Sequence, residues 1–131
     1  MSLAPMKELL VQAKSEGCAV GAFEVWSLES IQAVIAAAES LRQPVILQIG
    51  PIEIQYATIE ALSRIAVESA RRASVPVAVH LDHGDSFDMA VSAIRNGFTS
   101  VMIDASAEPY EDNVRLTGQV AQDLESSGGP R

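Results

Sequence analysis

Val79-His80-Leu81-Asp82-His83-Gly84 sets a carboxylate beside an imidazole where an apolar run that begins at Val77 gives out. The run Val77 to Leu81 has the length and continuous apolar character of a strand buried on both faces. On its downstream side Ser86 is placed to cap a helix with Phe87, Ala90, Val91 and Ile94 facing inward, closed by Asn96-Gly97. On its upstream side Ile59, Leu62, Ile65, Ala66 and Ala70 give the preceding helix an apolar stripe. Helix, strand, helix in that order is the signature of a βα repeat.

The pattern continues in both directions. Met6 to Glu16 reads as a leading helix with Met6, Leu9, Leu10 and Ala13 on one side and Gly17 as its stop. Cys18 to Phe23 reads as a first buried strand, and Ser27 caps a helix carrying Leu28, Ile31, Val34, Ile35, Ala38 and Leu41 inward. Pro44 to Ile49 is a second strand, broken by Gly50-Pro51, and the stretch around Tyr56 reads as the longest linker. Ser100 to Ile103 is a fourth strand. A last helix from Pro109 or Tyr110 presents Val114, Thr117, Ala121 and Leu124 on one face. One domain over residues 1–125 and a disordered tail over 126–131 are expected.

Four strands alternating with helices predict an α/β fold with a parallel sheet. A (β/α)8 barrel needs roughly 250 residues, so these (β/α) units amount to about half of a TIM barrel. The alternative is a small open, doubly wound sheet, which completes itself at this length. No Gly-x-Gly-x-x-Gly follows the first strand, which argues against a dinucleotide site.

Composition narrows the function classes. The 131 residues are 48% hydrophobic and carry a formal net charge of −8 with nine basic residues. Those basic residues form no stripe, so neither nucleic acid nor an anionic membrane is an expected partner. No apolar run approaches membrane-spanning length. The single Cys18 forms no internal disulfide and reads as a small core residue; a reducing, cytoplasmic compartment is expected.

In a parallel sheet the residues beyond the strand C-termini converge on one rim: Glu24, Gly50, Asp82 with His83, and Asp104 with Ser106. The bland account is that these short polar residues cap helices and turns. The chemical account is that Asp82 is a general acid/base beside a metal ligand. His80 and His83 are an odd number of residues apart, so an extended backbone points them to opposite sides. His83, on the rim, is the better ligand, and His80 is expected to pack within the sheet with a hydrogen bond. Asp104 or Glu24 could add oxygen. The only lysines, Lys7 and Lys14, lie in the leading helix, far from the rim, so a Schiff-base mechanism is excluded and carbonyl chemistry would need a metal.

The H-L-D-H-G stretch, with Ala22-Phe23, the run Ile31 to Glu39, Pro44-Val45-Ile46-Leu47-Gln48, and Met102-Ile103-Asp104 through Val114, resembles the class II, metal-dependent ketose-bisphosphate aldolases over about residues 5–121. The resemblance implies a (β/α)8 barrel in which Asp82 is the acid/base residue and His83 one of three histidines on a catalytic zinc. It also implies that Asp104 serves a secondary divalent or monovalent cation. The family reaction is reversible aldol cleavage of a phosphorylated ketose to dihydroxyacetone phosphate and an aldehyde.

Three positions depart from the family pattern. Glu24 stands where asparagine is common, Ala105-Ser106-Ala107 where Gly-Ser-His is common, and Gly50 where a substrate-contacting serine is usual. Glu24, Gly50 and Ser106 are therefore candidate substrate-binding positions. The carboxylate at Glu24 disfavours a phosphorylated sugar unless a cation intervenes, so a ketose other than fructose bisphosphate is expected. The other two zinc histidines and the glycine-rich phosphate loops have no counterpart before Arg131. The chain is expected to be the N-terminal half of a longer enzyme or a shortened product, inactive alone and prone to form a homo-oligomer through its open sheet edges. The competing reading is a non-enzymatic α/β binding or assembly module. A third, a response-regulator-like domain holding magnesium at acidic strand ends, lacks the acidic pair expected after its first strand.

Overall fold

The computed structural model describes residues 2–126. Its elements run α1 (Met6–Glu16), β1 (Gly21–Glu24), α2 (Leu28–Leu41), β2 (Val45–Ile49), α3 (Pro51–Ala57), α4 (Ile59–Arg72), β3 (Val77–Gly84), α5 (Phe87–Arg95), β4 (Ser100–Ile103) and α6 (Tyr110–Ser126). The strands pair in parallel in the order β1-β2-β3-β4. That order has no reversal point, so the doubly wound alternative is set aside: each βα unit adds its strand to the same side, as in barrel winding.

Local chemistry explains the boundaries. Gly17 terminates α1 at φ +68, and Ser27 opens α2 through a reciprocal cap with Ser30. Ser86 accepts from the Met89 amide at the start of α5. The expected linker around Tyr56 is instead helical. Pro51 supplies a first-turn φ and Glu53 accepts from the Gly50 amide at 2.9 Å, which together nucleate α3.

The two faces of the sheet are covered differently. Val45, Leu47, Ile49, Val77, Val79 and Leu81 belong to the main core with α2, α4 and α5, and Phe98 is buried with them. Ile46 and Ala78, on the opposite face, pack against Ala4 and Leu9 at α1. We call the first face convex and the second concave, after the sense in which a barrel sheet curls.

Burial falls away towards the sheet edges, which corrects the expectation of a sheet buried throughout. All of β1 is exposed and all of β4 is half-buried, because each has a neighbour on one side only. Cys18 precedes β1 and is exposed, not a core residue. Leu28 and Leu41, expected inward on α2, are 43% and 70% exposed: Leu41 lies on the side of the open β1 edge, whereas Leu28 borders the groove between α2 and α4. On α6 the packed side carries Leu116 and Val120, while Val114, Thr117 and Ala121 face outward. The side chain of Leu124 and residues 127–131 of the expected tail lie outside the described residues; Ser126 ends α6.

Candidate active site

Strand register assembles the site. Glu24 pairs with Gln48, Gln48 with His80, and His80 with Ser100, so one polar residue from each strand forms a row across the sheet. The row shares the concave face with Ile46 and Ala78, which lie two positions earlier on their strands. His80 is buried, and its Nδ1 lies 2.9 Å from Ser100 Oγ. Loss of hydration holds the His80 imidazole below its usual pKa, with the Asp82 charge acting in the opposite sense.

Asp82 follows two residues after His80 at the carboxyl end of the sheet. Its Oδ1 lies 3.8 Å from His80 Nε2 and its Oδ2 3.9 Å from His83 Nε2. Both imidazoles therefore flank one carboxylate, contrary to the alternation expected from their spacing. The reason is local: the β3–β4 register shifts between Leu81 and Gly84, and His83 takes φ +49, so the regular pleat is lost before His83. A left-handed φ is uncommon for a residue other than glycine, and here it swings His83 back towards Asp82.

Asp104 fixes His83 from the other side. Its Oδ2 lies 2.6 Å from His83 Nδ1, and its Oδ1 accepts from the Ser106 amide at 3.0 Å. The hydrogen bond to Asp104, then the charge of Asp82, raise the His83 pKa above its usual value. The same hydrogen bond, aided by Ser106, lowers Asp104 to about 2.

Glu24 reaches the cluster from β1. Its pKa is raised to about 7, first by partial desolvation, then by a hydrogen bond with Asp82 and by the charges of Glu53 and Asp82. Although Glu24 is an exposed residue, its carboxyl is the part crowded by these groups. Gly50 lies under the cluster: a Cβ there would sit 3.2 Å from the Asp82 carbonyl oxygen. Glu24, Gly50, Asp82, His83, Asp104 and Ser106 are thus brought to one mouth. Sequence reasoning missed the part played by Gln48, Ser100 and Glu53. Gln48 carried a usable signal, since it interrupts an otherwise apolar strand as His80 does.

The residues present suit one position of a metal site. A ligating histidine commonly donates one ring N–H to a carboxylate and offers the other nitrogen to the metal, which is the posture of His83 against Asp104. Among the described residues no group of three or more histidine, cysteine or acidic side chains is arranged to hold an ion. Lys7 and Lys14 sit on α1, which packs at the opposite end of the sheet.

The sequence model of class II fructose-bisphosphate aldolases matches residues 4–128. The chain belongs to this family. Among curated relatives, the fructose-bisphosphate aldolase of Thermus caldophilus is 46% identical over 121 residues, which are 92% of this chain and 39% of that protein. That of Geobacillus stearothermophilus is 45% identical, over 98% of this chain and 46% of its own length. Among solved structures, the YdjI aldolase from Escherichia coli K12 superposes with TM-score 0.92 at 35% identity, covering 98% of this chain and 49% of that one. A putative fructose-1,6-biphosphate aldolase from Coccidioides immitis gives 0.87 at 35% identity. The chain spans less than half the length of the curated relatives it matches. The class II family is generally metal dependent, and the parallel sheet seen here is part of its barrel. Among the described residues no helix is long and apolar enough to cross a membrane.

Proposed function

We propose that this chain carries the acid/base residue and one metal-ligand position of a zinc-dependent aldolase acting on a phosphorylated ketose. The observation that supports it most directly is Asp82 held between His80 and His83 at the mouth of the sheet. His83 Nε2 would take the ion, with Asp104 orienting the ring and available to a secondary divalent or monovalent cation. A bound divalent cation supplies Lewis-acid polarisation of the substrate carbonyl. Asp82 carries the proton to and from the hydroxyl at the carbon-carbon bond that is made or broken. His80, its pKa lowered by burial, stands 3.8 Å from the Asp82 carboxylate without competing for that proton. Glu24, Gly50 and Ser106 line the substrate side. Glu24 makes that side more acidic than an asparagine would, which favours a ketose other than fructose bisphosphate.

Three protein ligands are the norm for catalytic zinc, and the described residues supply one. Efficient aldol cleavage therefore requires donors beyond these residues, and the 131-residue chain alone is expected to be inactive and to associate with itself. A cytoplasmic setting suits a sugar-phosphate enzyme, and nothing in the charge distribution suggests nucleic acid as a partner.

Grafting residues 4–121 into the corresponding part of the Geobacillus stearothermophilus aldolase tests the reading. The chimera should bind zinc and cleave a phosphorylated ketose. Asp82→Asn should lower kcat by about 10²- to 10⁴-fold with zinc retained, and His83→Ala should lose zinc. A folded, active chimera indifferent to Asp82→Asn would overturn the proposal.

A further inference from the structure

We propose that Ser100 is a positioning residue for Asp82: its hydroxyl donates to Nδ1 of His80 and so keeps the one proton of the neutral ring on Nε2, the nitrogen that faces the Asp82 carboxylate. This role deepens the acid/base reading of Asp82 and rests on it.

Strand register brings the three residues together. His80 and Ser100 lie opposite each other in the β3–β4 pairing, ahead of the irregularity between Leu81 and Gly84 that displaces His83. Partners at one register position project to the same face of a sheet. The imidazole is thus flanked at both nitrogens, with Ser100 Oγ 2.9 Å from Nδ1 and Asp82 Oδ1 3.8 Å from Nε2. His80 is buried, so these neighbours rather than bulk water decide where the ring proton sits.

Burial lowers the His80 pKa, so above the usual 6.5 the ring carries one N–H and one lone pair. An ionised carboxylate only accepts, and a lone pair on Nε2 would set two acceptors against each other where little water screens them. A proton on Nε2 removes that conflict but demands a donor at Nδ1. The Ser100 hydroxyl rotates to supply it. The Ser100 backbone pulls the other way: it favours a protonated ring, as an accepting carbonyl does, and competes for the proton. The hydroxyl is therefore the group at Ser100 that secures the Nε2–H form.

The consequence appears at the mouth. With Nε2–H turned towards Oδ1, the carboxylate is oriented through its inner oxygen, and Oδ2, 3.9 Å from His83 Nε2, is left for proton transfer. A separation of 3.8 Å is longer than a hydrogen bond, and such contacts tighten when a substrate fills the site. Ser100 lies at the level of His80, deeper in the sheet than Asp82, so it addresses the ring and is no nucleophile.

Nitrogen-15 NMR of the histidines in the metal-free chain at pH 8 reads the ring directly. His80 should show a protonated Nε2 and a bare Nδ1. Ser100→Ala should shift the proton to Nδ1 or mix the two forms, and Ser100→Thr, which keeps the hydroxyl, should restore the first pattern. His83, held by Asp104, should be unchanged in all and reports a folded rim. Ser100→Val, matched in shape to the threonine, repeats the test without leaving a void. In the chimera, Ser100→Ala and Ser100→Val should lower kcat by about tenfold with KM within about twofold and zinc retained, and Ser100→Thr should recover most of the loss. A proton found on Nδ1 in the unsubstituted chain overturns the proposal. So does an unchanged kcat in both hydroxyl-free chimeras when Asp82→Asn is crippling. A chimera indifferent to Asp82→Asn instead refutes the acid/base reading, and the positioning role with it, while the ring pattern stands as a separate result.

Discussion

His83 Nδ1 and Asp104 Oδ2 lie 2.6 Å apart, joining the end of β3 to the turn after β4 and fixing which imidazole nitrogen faces Asp82. The contact is charge-assisted when the imidazole is protonated, and each partner shifts the other: His83 upward, Asp104 down to about 2.

The metal-free chain should therefore show two distinct histidine titrations by NMR, His83 above and His80 below the usual 6.5. Asp104→Asn should return His83 towards that value while leaving His80 in place. Because the folded pKa of His83 is raised, its contribution to stability is complete below about 6.5 and is lost as pH rises through the folded value. Two coincident titrations would contradict the geometry.

Glu24 gives a second pH dependence. Its folded pKa of about 7 lies above the ordinary 4.5, so the native state binds the extra proton between those values. Stability should then fall as pH rises from about 4.5 to about 7. Glu24→Gln should remove its share of that slope, leaving the share due to His83, and stabilise the chain at pH 8 by no more than about 1 kcal/mol, since the residue is exposed and its interactions are screened. Urea unfolding at pH 5 and pH 8 reads the difference.

A third outcome concerns the irregular end of β3. A Cβ on Gly84 would lie 2.6 Å from the Met102 carbonyl oxygen and 2.8 Å from a methyl carbon of Leu81. The carbonyl is backbone and cannot rotate away, so Gly84→Ala should cost about 1–3 kcal/mol in urea unfolding. It should also disturb His83, seen as a change in its NMR titration. Unchanged stability would mean that β3 and β4 separate more easily than their pairing indicates.

Ser100→Ala removes the hydroxyl partner of buried His80 Nδ1 and should cost about 1–3 kcal/mol, the penalty of an unsatisfied buried polar atom. Zinc binding to His83 in the chimera should persist, because His83 is held by Asp104. Loss of zinc affinity would show that His80 and His83 act as one unit.

Much of this arrangement was legible in the chain. Apolar strand runs, Ser27 and Ser86 as caps, and Gly17 as a stop gave the βα order, and the strand-end rule gathered the rim residues. Burial of the outer elements was not legible. Leu41, Phe23 and Val114 have core chemistry, but whether they are covered depends on a neighbour beyond the edge strand. The posture of His83 was hidden for another reason. Alternation assumes a regular pleat, and the register shift after Leu81 is set by how β3 meets β4, a long-range pairing that local spacing does not encode. Tyr56 misled because Pro51 and the Glu53 cap outweigh a weak local helical pattern.

The large core on the convex face and the polar row on the concave face have separate obligations. Folding draws chiefly on side chains that never meet a ligand, so Glu24, Gln48 and their neighbours at the mouth are free to drift in chemistry with modest penalty. Descendants of such a scaffold can explore new chemistry at the mouth while inheriting the same skeleton.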